Sequence, residues 1–189
     1  MTRAQIVDLF TKNAIKAGAE VARAGGDEEL NRIVGQILAG DGSIFCPRVT
    51  EKEKAIVIPQ DRLTEDYVNA SACVEEILGG IAETGSLVLT SREGKPVQAG
   101  LLPSHHVAIL PAEKIYEKLD DLFTAFGDSP PTNITFETGP SRTADIELTL
   151  TLGVHGPERL SIIVAEGQDR KRSRKTTFPA KAGPPNPSK

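Results

Sequence analysis

Short apolar runs alternating with amphipathic helical stretches predict an α/β domain, with a mainly parallel sheet flanked by helices. Two observations carry this expectation. His106-Val-Ala-Ile-Leu110 is nearly continuous in apolar residues, as a strand covered on both faces must be. Pro111 ends it, and Ile115, Leu119, Leu122, Phe123 and Phe126 then share one helical face across residues 112–126, which completes a strand with its crossover helix.

Taken in order, the chain opens with two helices. Ile6, Leu9, Phe10, Ala14, Ile15 and Val21 recur at helical spacings from a Thr2 start until Gly25-Gly26. Asp27 then offers an N-cap, Leu30, Ile33, Val34, Ile37 and Leu38 form one apolar face, and Gly40 stands where a glycine commonly follows a helix end. Residues 43–46 and 55–58 read as strands, and Thr64 as the cap of a helix running towards Leu78. Residues 81–83 and 86–90 are extended pieces around Thr84-Gly85, followed by a turn at Ser91-Arg-Glu-Gly-Lys-Pro96. Residues 133–137 and 160–165 supply further strands, with a helix expected to start near Ser141 between them. The organisation is a helical segment at 1–42, an α/β domain at 43–167 and a basic, Pro-rich tail at 168–189 that is expected to be mobile.

The net charge of −4 conceals an asymmetry: seven basic residues face one acidic residue from Gln168 to Lys189, which leaves −10 on residues 1–167. An acidic body repels polyanions, so nucleic acid is disfavoured as a partner and would have to be held by the tail alone. No run approaches the ~20 apolar residues of a membrane-spanning helix, and the first ten residues hold no signal-peptide core. A cytoplasmic protein with reduced cysteines is the expectation. Cys46 and Cys73 lie 27 positions apart without a C-x-x-C pair, so no metal site and no bound cofactor is expected on this chain.

Three segments have the residues for chemistry. In Ile81-Ala-Glu-Thr-Gly-Ser-Leu-Val-Leu89 a single carboxylate, Glu83, stands at a strand end beside Thr84 and Gly85, where ligands of open sheets gather; the alternative is a Glu capping nearby N–H groups. In Gly139-Pro-Ser-Arg-Thr-Ala-Asp-Ile-Glu147, Ser141 and Thr143 are candidate helix caps, and Arg142 would add a forked cation to the free N–H groups of that helix start. Such a site suits a small anionic ligand, a carboxylate or a phosphate. Gly153-Val-His-Gly-Pro157 sets His155 in a tight turn, able to donate to an anion or move a proton near neutral pH. The His105-His106 pair has less claim, since adjacent strand residues point to opposite faces. Phosphate-loop, dinucleotide-turn and nucleophile-elbow signatures are absent from the sequence.

Together, Gly80-Ile-Ala-Glu-Thr-Gly-Ser-Leu-Val-Leu89, Leu102-Pro-Ser-His-His-Val-Ala-Ile109, Gly139-Pro-Ser-Arg-Thr-Ala-Asp-Ile-Glu147 and Gly153-Val-His-Gly-Pro157 resemble, in order and spacing, the LUD-domain family in its lactate-utilisation protein C branch. The resemblance spans roughly residues 43–166. It implies the sheet shared by ribose-5-phosphate isomerase, glucosamine-6-phosphate deaminase, CoA transferases and the 5-formyltetrahydrofolate cyclo-ligase group. It also implies a component of a system that oxidises L-lactate, with iron–sulfur clusters carried on partner lactate-utilisation proteins. A shared fold does not decide the reaction. Two other classes therefore stay open: a stand-alone isomerase, CoA transferase or cyclo-ligase using Glu83, and a non-catalytic assembly or regulatory module. In the first reading Glu83, Thr84, Gly85, Ser141, Arg142, Thr143 and His155 line one polar pocket.

Overall fold

The computed structural model describes residues 1–91, 96–144, 150–152 and 156–167. The elements follow as α1 (Arg3–Lys16), β1 (Glu20–Ala24), α2 (Asp27–Ile37), a 3-10 turn at Leu38–Gly40, β2 (Ile44–Phe45), α3 (Glu51–Ala55), β3 (Leu63–Thr64) and β4 (Ala72–Glu76). Next come β5 (Gly79–Ile81), β6 (Ser86–Leu89), α4 (Gln98–Leu101), β7 (His105–Pro111), a 3-10 turn at Ala112–Lys114, β8 (Ile115–Tyr116) and α5 (Leu119–Phe126). The last are β9 (Thr135–Glu137), β10 (Arg142–Ala144), β11 (Leu150–Leu152) and β12 (Arg159–Ala165).

Six strands pair in the order β1-β12-β7-β4-β2-β3, and every pairing among them is parallel. This is the expected parallel sheet. A second sheet, β8-β5-β6-β9, is mixed, and β10 and β11 form an antiparallel pair. All seven residues of β7 are buried, which is why its sequence lacks polar alternation. Val107 and Ile109 join a core layer with Leu30, Ile33 and Val34 of α2, whereas Ala108 and Leu110 join an opposite layer with Val7, Phe10 and Ala14 of α1. The two N-terminal helices thus cover opposite faces of one sheet, as their apolar stripes require.

Several elements differ from the local reading, each because distant pairing outweighs local pattern. The first helix stops at Lys16, and Val21 belongs to β1, whose ladder to Ser161–Ala165 of β12 replaces further helical turns. Asp27 is the first residue inside α2 rather than its cap, where with Glu28 and Glu29 it complements the helix dipole. Residues 55–58 are not a strand: Ala55 closes α3, which is opened by a capping box of Thr50 and Glu53, while Ile56 and Ile58 bury their side chains from an irregular segment. The helix expected from Thr64 to Leu78 is replaced by β3, a loop and β4. All of β4 is buried, Glu75 and Glu76 included. Of residues 112–126 only Leu119–Phe126 is α-helical, because Ile115 pairs with Gly80 in the second sheet. The helix expected near Ser141 is instead the extended β10, paired with β11.

Phe10 is fully buried between α1 and the sheet. Phe10→Ala should cost about 3–5 kcal/mol in urea denaturation, and a loss below ~1 kcal/mol would mean that α1 is not part of the cooperative core.

Candidate functional site

Glu83 lies in the turn after β5, solvent-exposed, and its Oε1 accepts the Leu119 N–H at 2.9 Å. Its carboxylate therefore caps the start of α5. The backbone of the same turn is tied to α1, since Asn13 Nδ2 donates to the carbonyls of Ala82 (2.8 Å) and Glu83 (3.1 Å). The Thr84 hydroxyl meets Ser86 Oγ at 2.7 Å, and Ser86 Oγ meets Thr138 Oγ1 at 2.6 Å.

That hydroxyl chain joins two copies of one tripeptide, Glu83-Thr84-Gly85 and Glu137-Thr138-Gly139, a repetition that reading each segment separately overlooks. Gly85 and Gly139 both adopt left-handed backbone, with φ of 73° and 76°. A methyl group on the first would collide with the backbone nitrogen of Ala14, and one on the second with the carbonyl oxygen of Ala17. Both glycines are thus required by close approach to the last turn of α1. The Ser141 amide then donates to the Pro157 carbonyl at 2.8 Å, which draws the start of the 156–167 segment to the same region.

Of the residues expected to line one pocket, Thr84, Gly85 and the Ser141 backbone belong to this convergence. Arg142 and Thr143 follow within β10, and His155 lies outside the described residues. Because β10 is extended, no helix start at Ser141 contributes N–H groups to an anion, and that part of the expectation is withdrawn. The carboxylate of Glu83 faces α5 rather than an open pocket.

The two adjacent histidines, which sequence reasoning ranked low, are centres of buried polar clusters. His106 projects to the α1 side of β7, where Nδ1 lies 2.7 Å from Glu137 Oε2 and Nε2 lies 3.2 Å from Glu75 Oε1. His106 and Glu75 are 0% exposed and Glu137 is 6% exposed, so two buried carboxylates share one buried imidazole. The contact also fastens β9 of the second sheet to β7 and β4 of the first.

His105 projects to the α2 side, at the amino ends of the parallel strands. Its Nδ1 lies 2.8 Å from Asp41 Oδ2 and its Nε2 lies 3.0 Å from Ser161 Oγ. Asp41 Oδ1 also accepts from Arg159 Nη2 at 2.8 Å, and that nitrogen stands 2.6 Å from Nδ1, so the tautomer decides which partner Nδ1 serves. The Ser–His–Asp sequence of contacts has the geometry of an activated nucleophile. Ser161 is only 2% exposed and donates to Glu20 at 3.3 Å, however, so no substrate reaches it and the cluster serves to lock the sheet's amino edge. The signal for both clusters was present in the sequence: two histidines opening a fully apolar strand must each find buried partners.

A cleft of about 1120 Å³ lies beyond β1 and β12. Asp27, Glu28, Glu29, Glu51 and Glu166 line it against Arg32 and Lys52, a balance that disfavours an anion. No group of three or more His, Cys, Asp or Glu side chains among the described residues has metal-binding geometry.

The model of the LUD domain matches residues 53–165. Lactate utilization protein C of Halalkalibacterium halodurans is 40% identical over 112 residues, covering 56% of this chain and 49% of that protein. Lactate utilization protein C of Bacillus licheniformis is 39% identical over 92 residues, covering 46% and 38%. The chain therefore spans half or less of the length of these relatives. The crystal structure of a DUF162 family protein from Deinococcus radiodurans superposes with a TM-score of 0.67 at 20% identity, covering 87% of this chain and 99% of that one, a likeness of fold.

Two predictions follow from the histidine clusters. His106→Ala leaves two buried carboxylates without their imidazole and should cost about 3–5 kcal/mol in urea denaturation; adding Glu75→Gln and Glu137→Gln should recover part of the loss, and no recovery would mean that the pairing is not what the histidine supplies. For His105, burial pushes the imidazole below its ordinary value, against the upward pull of Asp41. The unfolded chain then takes up this proton first, so stability is full above about pH 6.5 and declines as the pH falls below it. Denaturant midpoints at about pH 7.5 and about pH 5.5 should differ more for the wild-type chain than for His105→Gln, and equal differences would absolve His105.

Proposed function

The chain belongs to the LUD-domain family, and from that premise we propose that it serves lactate utilisation as a component of an iron–sulfur-dependent system that oxidises L-lactate to pyruvate. The observation that carries this reading is the 40% identity over 112 residues to a lactate utilization protein C. With two cysteines in its 189 residues the chain lacks the four thiolates of a common cluster, so the clusters would reside on partner proteins.

Within that system the convergence of Thr84, Gly85 and Ser141 next to Arg142 and Thr143 would form a site for a small carboxylate. Arg142 would supply a forked cation, and His155 a second donor. The structural duty of Glu83 at α5 favours a binding and assembly role over a stand-alone isomerase, CoA transferase or cyclo-ligase using that carboxylate as base or nucleophile. A base that must first release a helix cap would lose its own positioning.

Calorimetric titration with L-lactate and pyruvate tests the reading. Either ligand should bind the wild-type chain, and Arg142→Ala should weaken it by about ten- to a hundredfold, the worth of a charge-assisted hydrogen bond. Binding of neither, or binding indifferent to Arg142, would remove the carboxylate site from the proposal.

A further inference from the structure

The connections of the parallel sheet diverge at β2 and β4: the chain leaves β2 towards β3 at the sheet's edge, whereas from β4 it proceeds to β7 on the other side. Ligands of open α/β sheets gather outside the carboxyl ends of strands at such a point. A cleft of about 480 Å³ lies beside it, walled by residues 45–49 at the end of β2, by Leu63, Thr64, Glu65 and Tyr67 around β3, and by Pro96. The rings of Phe45 and Tyr67 meet edge to face, with centroids 5.6 Å apart, and supply a flat apolar wall.

Arg48 lines this cleft in an arrangement that packing does not explain. Its φ of 53° is in the left-handed region, and it is the only non-glycine residue there among the described residues. Its Nε is buried without a hydrogen-bond partner among them. Costly backbone of this kind persists only where the surroundings enforce it, and clusters at ligand clamps. Here the enforcement is visible. The Glu53 carboxylate, 1% exposed, accepts the N–H groups of Val49 (2.7 Å), Thr50 (3.0 Å) and Glu76 (2.8 Å), pinning the loop after β2 to the end of β4. The loop that carries the arginine is therefore tied to the sheet by hydrogen bonds within the chain. Glu65, the acidic residue on the wall, is solvent-exposed.

We propose that this cleft is a binding site for a small organic anion, whose carboxylate or phosphate pairs with the Arg48 guanidinium while its flat body rests against Phe45 and Tyr67. A guanidinium beside an aromatic wall is the usual means of holding such a molecule, since the fork fixes the headgroup and the rings remove the body from water. The site uses none of the residues of the Arg142 region and stands independently of the lactate reading.

Benzoate and phenyl phosphate share a ring and differ in headgroup, so titrating the full chain with each separates the two anion classes. At least one should bind the wild-type chain, and Arg48→Gly and Arg48→Gln should each weaken it about tenfold or more. Thermal unfolding of Arg48→Gly should occur at or above the wild-type temperature, because glycine adopts this φ without strain. The proposal is overturned if neither probe binds or if binding survives both substitutions. It is equally overturned if both variants unfold well below the wild-type chain, which would assign the arginine to holding the loop.

Discussion

The rest of the structure depends on β7 being parallel, central and covered on both faces. A strand in that position sends successive side chains into opposite layers. Val107 and Ile109 must therefore meet α2, and Ala108 and Leu110 must meet α1. The same alternation parts the two histidines at the head of the strand, so that neighbours in sequence serve unrelated clusters. His105 holds Asp41 and Ser161 at the amino edge of the sheet, while His106 reaches between Glu75 and Glu137 to the second sheet. One backbone geometry thus produces both the apolar layers and the polar fastenings that hold separate elements in register.

The second organising contact is the end of α1. Two Glu-Thr-Gly tripeptides, far apart in the chain, each turn through a left-handed glycine against its final residues, and their threonines share Ser86. This divides the residues of the segments that resemble the family into two kinds. Gly85, Gly139 and the Glu83 carboxylate are occupied with backbone packing and helix capping, whereas Arg142 and Thr143 follow directly on the convergence they create. A family signature of this kind records how a surface is built as well as what the surface does. The two carboxylates of the repeated tripeptide show the same division, since Glu83 serves a helix start while Glu137 enters a buried ion cluster.

Charge placement narrows the options further. The cleft beyond β1 and β12 carries five carboxylates against two cations, while the one beside β2 holds Arg48 on a loop whose backbone N–H groups Glu53 accepts. In both places a buried or clustered carboxylate satisfies backbone donors at strand or helix ends: Glu53 at β4 and the loop after β2, and Glu29 at Gly25. The strand ends are thereby supplied with acceptors from within the chain, and an external anion has to be recognised by a cation instead.

By itself the sequence determined the fold class, the central strand, the helical nature of α1 and α2, and the segments that resemble the family. Those features rest on signals carried within a few residues: a continuous apolar run, an amphipathic stripe, a Gly-bounded turn. The identity of β1, β4 and β8, the extended form of β10, and the partners of His105, His106 and Glu83 were decided only by tertiary structure. Strands of two to five residues in a parallel sheet obtain their hydrogen bonds from chain segments up to about 140 positions away, as β1 does from β12, and a buried carboxylate such as Glu75 looks polar until its imidazole partner is in place. Local pattern reports which side chains avoid water. Pairing across the chain decides where the remaining polar groups find each other.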